Sequence, residues 1–127
     1  MTRRLFVLLW FCGVVLQAQT QTPLQVYTAY RTAFEQASDF QPLRPFLSAS
    51  AIHQIDATPA AYRPQMFALL KQTSAVKILE LVSETTLSTG GHVLLVTGVT
   101  GDDRPLKGTV ELIREGDWKI VRETWAH

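Results

Sequence analysis

The sequence predicts an α+β protein in which N-terminal helices pack in the concave face of a curved, four-stranded antiparallel meander, giving a cone-like domain. Three observations lead there. Helical stripes opened by proline occupy the chain before residue 75, and four β-rich runs joined by short turn-rich connections follow it. Two glycines, Gly98 and Gly108, lie inside neighbouring runs, and a glycine within a strand marks a bulge or bend. Helices first and then an antiparallel sheet is the order of an α+β domain, with the helices covering one sheet face.

The first sixteen residues stand apart from this pattern. Arg3 and Arg4 precede an unbroken apolar run from Leu5 to Leu16, and Gln17, Ala18 and Gln19 follow it. A membrane-spanning helix needs about 20 apolar residues, whereas the core of a signal peptide needs roughly 7–15. Residues 1–18 are therefore expected to be a cleaved signal peptide, with Ala18 at the cleavage point, and 19–127 a single exported domain, periplasmic or extracellular. Cys12, the only cysteine, lies within the apolar run behind Trp10 and Phe11, which is not the pattern of lipid attachment. Removal of Arg3 and Arg4 leaves ten basic residues against eleven acidic ones, a net charge of −1. A near-neutral chain without clustered lysine or arginine offers no electrostatic footprint for nucleic acid, nor for an anionic membrane after cleavage. A domain without cysteine forms no disulfide and no thiolate metal site, so its core alone must hold it together.

Along the domain, Thr22-Pro23-Leu24-Gln25 fits a capping box with proline at the first helical position. The apolar stripe Tyr27, Tyr30, Phe34 and Ala37 follows at three- and four-residue spacing, with Arg31, Glu35 and Gln36 largely off it. Ser38-Asp39 ends this helix and can cap the next. Pro42 and Pro45 keep any helix over 40–47 short. The stretch 48–55 is compatible with a helical turn or a strand, and helix is preferred. Asp56-Ala57-Thr58-Pro59 breaks it. A further helix starts near Pro64 and is expected to bury Met66, Phe67, Leu69 and Leu70. Strands are expected over 76–87, 92–100, 106–115 and 118–125, joined by Thr89-Gly90-Gly91, by residues 101–105 and by Glu115-Gly116-Asp117. In the third run Leu106, Val110 and Leu112 alternate with Lys107, Thr109 and Glu111, which makes one face dry and the other wet. The second run, apolar on both faces, belongs in the middle of the sheet.

The opening YTAYRTAFEQASDFQPLRPFLS and the ending GTVELIREGDWKIVRETW resemble the first helices and the last hairpin of the nuclear transport factor 2-like (cystatin-like) superfamily. The resemblance spans nearly all of 22–125 and implies the α+β cone. It says little of activity, because that superfamily contains isomerase-like and cyclase-like enzymes, transport factors and exported domains of unknown role. Similarity to the ketosteroid isomerases would imply a helix-one tyrosine, filled by Tyr30, and an acidic base, for which Asp39 or Asp56 is available. It would also imply a second acid on a sheet strand. The second and third runs offer only Val, Leu and Gly to the interior, so no such acid is expected.

Tyr27, Tyr30, Phe34, His53, Phe67 and Trp118 are the candidate pocket-lining residues. The alternative, favoured in so small a domain, is that the aromatics fill the cone. His53 and Asp56, three apart, would share a helix face and form a surface pair. Asp39 reads as a helix cap, His92 as a solvated turn residue and His127 as terminal. Scattered histidines make no metal site, no cofactor motif occurs, and no catalytic residue is assigned. Three functional classes follow. The first is an exported non-enzymatic domain that binds a small apolar ligand or a cell-envelope partner. The second is a module that forms a homodimer through its open sheet face. The third is an isomerase- or cyclase-like enzyme, which would need an enclosed pocket holding at least two polar groups with perturbed titration.

Overall fold

The computed structural model describes residues 21–127. The leader expected over 1–18, with Cys12, lies outside the described residues. Helix α1 (Pro23–Gln36) opens on the expected capping box: the Thr22 hydroxyl accepts from the Gln25 amide, and the Gln25 side chain accepts from the Thr22 amide at 2.9 Å. A 3-10 helix (Gln41–Phe46) follows, its length limited by Pro42 and Pro45. Helix α2 (Ala49–Ala57) is capped by the Ser48 hydroxyl, which accepts from the Ala51 amide at 3.1 Å. A single 3-10 turn (Ala60–Tyr62) leads into α3 (Arg63–Thr73), which carries proline in its first turn as expected.

The four strands are β1 (Lys77–Thr86), β2 (His92–Val99), β3 (Pro105–Glu115) and β4 (Asp117–Ala126). They pair antiparallel in the order β1-β2-β3-β4, a meander that curls around the helices. β2 is an inner strand, as its double-sided apolar character required. Leu94 and Val96 from β2, Val110 and Leu112 from β3 and Ile120 from β4 close over Tyr27, Tyr30, Phe34, Leu43 and Phe67 in one core. A short parallel bridge from Leu47 to Ile120 fastens the segment before α2 to the free side of β4. Glu115 adds a second anchor by accepting from the Ala49 amide at 2.9 Å, where a negative charge suits a helix start.

Two expectations need correction. Leu69 was placed in the core, but α3 turns it outward and it is 59% exposed; Phe67 is buried, and Met66 and Leu70 pack at the core edge. Arg31 was placed off the buried stripe, yet it is 5% exposed. It stands four residues after Tyr27 and three before Phe34, so helical spacing puts all three on one face. The strand glycines lie in the curved sheet they imply: Gly98 pairs with Ile78 at the edge of one of two bulges in β1, and a third bulge lies in β4. Gly108 also makes room for an indole ring. A Cβ there would lie 2.6 Å from the Trp125 ring, whereas one on Gly98 would meet Val76 Cγ1 first and the Lys77 carbonyl at 2.9 Å before the ring at 3.3 Å.

Candidate functional site

The bulge in β4 determines which side chains reach the interior. Leu112 pairs with Ile120 and Glu111 with Arg122, leaving Val121 as an extra residue. One extra residue exchanges the faces of everything beyond it. Arg122 therefore joins Glu111 on the outer face at 3.2 Å, and Glu123 turns inward beside Val110. The expectation that the sheet offers the interior no acid is overturned by this strand. Strands β2 and β3 do present Val, Leu and Gly there, but β4 presents a carboxylate.

Glu123 meets two residues of α1. The Tyr27 hydroxyl donates to its Oε2, and Arg31 Nη1 donates to Oε1 and Oε2 at 3.3 and 3.4 Å. Arg31 Nη2 donates in turn to the carbonyls of Ser74 and Val76, at 3.1 and 2.8 Å, tying the α3–β1 connection to α1. The guanidinium lies 4.9 Å from the centre of the Phe34 ring. Burial pushes the Glu123 carboxyl above the usual carboxylate range, although Arg31 and the Tyr27 hydroxyl act against it. The buried indole N–H of Trp125 also lowers it somewhat, without reaching hydrogen-bonding geometry. Burial, reinforced by the Glu123 charge, drives the phenols of Tyr27 and Tyr30 well above their ordinary value of 10.0.

Above this network, between the helices and β4, is a cavity of about 280 Å³. Its walls include Tyr30, Leu43, Ile55, Met66 and Leu70, and Glu123 lies among them. A wider cleft of about 450 Å³ runs past the end of α1 and the β2–β3 turn. Two of its three cations are already engaged: Arg31 as above, and Lys71 Nζ with the Phe34 and Glu35 carbonyls that end α1. The smaller cavity is the better candidate site, because its apolar walls enclose a few converging polar groups.

The residues proposed from sequence separate into three places. Tyr27, Tyr30, Phe34 and Phe67 are buried together, with consecutive ring centres 6.1–6.4 Å apart along the series. Of the four, Tyr30 borders the 280 Å³ cavity. Trp118 sits elsewhere, half-buried against His92 with ring centres 5.6 Å apart. His92 is accordingly not a solvated turn residue: its side chain is 14% exposed, Nε2 is 3.1 Å from Glu84 and Nδ1 is 3.2 Å from the Thr86 hydroxyl. His53 is exposed on α2. Its expected partner Asp56 bonds Arg44 instead at 2.6 Å, and that contact holds the Asp56 carboxyl below its usual range. Asp39 accepts from the Gln41 amide at 2.9 Å, a local turn-capping role.

Sequence reasoning missed Arg31 and Glu123. The spacing of Tyr27, Arg31 and Phe34 held the signal for the first. Nothing local signalled the second, because strict alternation from Ile120 sends residue 123 outward. Among the described residues no group of three or more His, Cys, Asp and Glu side chains could hold a metal ion, and no helix is long and apolar enough to cross a membrane.

The fold and the site define an α+β protein with a curled antiparallel sheet over an apolar cavity that contains one buried carboxyl. Comparison with protein-family models, with curated proteins and with solved structures finds no match to this chain.

Proposed function

We propose that this protein is an exported ligand-binding domain of the nuclear transport factor 2-like type, and that the cavity between its helices and β4 takes one small, mainly apolar molecule with a hydrogen-bond donor. The observation that carries this reading is the mainly apolar cavity of about 280 Å³, whose polar lining is Tyr30, Gln54, Arg122 and Glu123. That volume stands at the lower edge of the ~300–1,000 Å³ range of ligand pockets, which favours a small guest. A carboxylate has about four acceptor positions, and Tyr27 and Arg31 do not use them all. A hydroxyl or amine on the ligand would find an acceptor there, whereas a ligand carboxylate would meet like charge. The signal-peptide pattern of residues 1–18, Arg3 and Arg4 before a twelve-residue apolar run, supports export, so the guest would be met outside the cytoplasm.

The test is native mass spectrometry of the protein purified from an exporting host, followed by titration with matched small alcohols, amines and carboxylic acids of one apolar skeleton. Retention of alcohols or amines over the acid supports the reading, as does loss of binding in Ala51→Phe, which fills the cavity wall. Equal uptake by wild type and Ala51→Phe would overturn it.

A second reading, proton transfer on a bound molecule, is favoured by one observation: Tyr30 and Glu123 both border the cavity and both have raised pKa values. Under that reading a bound ketone exchanges its α-hydrogens in deuterated water, and Glu123→Gln abolishes the exchange while binding persists. Absence of exchange in a ketone that demonstrably binds would dismiss it.

A further inference from the structure

One group of side chains lies apart from the ligand cavity, at the end of the sheet where the chain turns at Gly90 and Gly116. β2 sends Leu94, Val96 and Gly98 inward, and alternation puts His92 on the same face. The register sets Thr86 opposite His92 and Glu84 opposite Leu94, so the three polar side chains share that face of β1 and β2. The hairpin fixes this pairing. The Leu87 amide donates to the Gly91 carbonyl at 2.8 Å, and the Gly90 amide donates to the Leu87 carbonyl at 3.0 Å. Thr86 is exposed, so its hydroxyl can be reached from solvent.

Thr86, His92 and Glu84 form one continuous chain of contacts. His92 Nδ1 is 3.2 Å from the Thr86 hydroxyl, and Nε2 is 3.1 Å from Glu84 Oε1. A carboxylate only accepts, so Nε2 carries the proton of the neutral ring and Nδ1 is left to accept from Thr86. A hydroxyl donating to an imidazole that a carboxylate orients is the arrangement of an activated nucleophile, recognised by geometry and not by chain order. On the same face Trp118 backs the His92 ring, with centres 5.6 Å apart, and the Arg114 guanidinium lies 5.4 Å from the centre of the Trp118 ring. Among the described residues Arg114 has no ion pair.

We infer that Thr86, His92 and Glu84 are a separate catalytic site, which hydrolyses small carboxylic esters through an acyl-Thr86 intermediate. Thr86 Oγ attacks the ester carbonyl carbon while its proton passes to His92 Nδ1, and Glu84 steadies the imidazolium through Nε2–H. The carbonyl oxygen becomes an oxyanion, for which Arg114 is the cation on this face. Collapse of this adduct breaks the bond to the alkoxy oxygen, which leaves as the alcohol with the proton from Nδ1. Water then gives a proton to Nδ1 and attacks the acyl carbon. The carboxylic acid departs and Thr86 Oγ recovers its proton. The sum is ester and water to acid and alcohol. Thr86 and His92 are the catalytic residues, and Glu84 is a positioning residue. The inference is independent of the ligand reading, because none of the three borders that cavity.

Hydrolysis of p-nitrophenyl acetate by the purified protein and its variants tests it, with far-ultraviolet dichroism confirming that each is folded. Wild type is expected to turn the ester over and, when quenched early, to carry one acetyl group on the peptide that holds Thr86. Thr86→Ser, which keeps the hydroxyl, should retain turnover, whereas the isosteric Thr86→Val should lose both turnover and acetylation. His92→Gln should lower kcat about a hundredfold or more. Glu84→Gln should lower kcat about tenfold or more with KM little changed, since Glu84 orients the ring without touching the ester. An inert wild type would overturn the inference. So would hydrolysis that persists in Thr86→Val, where the imidazole acts alone, an acetyl group found on another residue, or a Glu84→Gln protein as fast as wild type.

Discussion

Glu123 and Arg31, 92 residues apart, meet at 3.3 Å with both side chains only 6% exposed. The pair joins the first helix to the last strand. Through the Ser74 and Val76 carbonyls it also fastens the passage from helices to sheet. Its bulk contribution is paid in desolvation, so its cost becomes visible mainly when one partner is removed.

Glu123→Gln and Arg31→Met are each expected to destabilise the protein on the order of 3–5 kcal/mol, since each leaves a buried group without its partner. The double replacement Arg31→Met with Glu123→Gln should cost clearly less than the two single changes added together. Urea unfolding of the four proteins closes the cycle, and additive costs would show that the two residues do not act as a pair.

The raised Glu123 carboxyl has a pH signature. Its folded pKa exceeds its unfolded one, so the folded state holds the proton more tightly. The stability this contributes is fully present below the ordinary value of 4.5 and is lost as pH rises through the higher folded value. Unfolding free energy measured upward from pH 4 should therefore contain a declining component in wild type that Glu123→Gln lacks. Parallel profiles for the two proteins would contradict the shift.

The same sign governs the alkaline limb. Tyr27 and Tyr30 keep their protons in the fold at pH values where the unfolded chain begins to release them, above about 10. Stability should fall there, and ultraviolet titration should show two phenols ionising only together with unfolding. Ionisation of both before any loss of far-ultraviolet dichroism would contradict it.

Gly108→Ala places a methyl group against the Trp125 ring. Overpacking of this kind costs roughly 1–3 kcal/mol, and a displaced indole should change the near-ultraviolet dichroism. An unchanged spectrum and stability would mean that the ring is not seated on Gly108.

Phe34→Ala should cost about 3–5 kcal/mol, because the ring touches Tyr30 and Phe67 at the centre of the core. Leu69→Ala, on the exposed side of α3, should stay within about 0.5 kcal/mol. The contrast, read from thermal or urea unfolding, separates the two neighbouring apolar positions.

Much of the fold was legible because its signals are local. Thr22, Pro23 and Gln25 start α1 through contacts within one turn, and the hairpin connections at Gly90 and Gly116 adopt positive φ, a conformation glycine enters without a Cβ clash. The β3 alternation needed only a pleat and one dry side. The site was less legible. Tyr30 borders the cavity, but His53 turns to solvent and Trp118 packs with His92 at another end of the sheet. A side chain's residue type does not reveal which neighbours its element will meet.

The sequence by itself determined the class of fold, the order and approximate limits of its helices and strands, and the dry side of α1 and β3, because capping, period and turn chemistry act over a few residues. Only the tertiary structure decided that Arg31 is buried, that Glu123 faces it, and that Gly108 seats Trp125. Each depends on a contact between distant segments, and in the case of Glu123 on a single extra residue in β4 that reverses which face its side chain occupies.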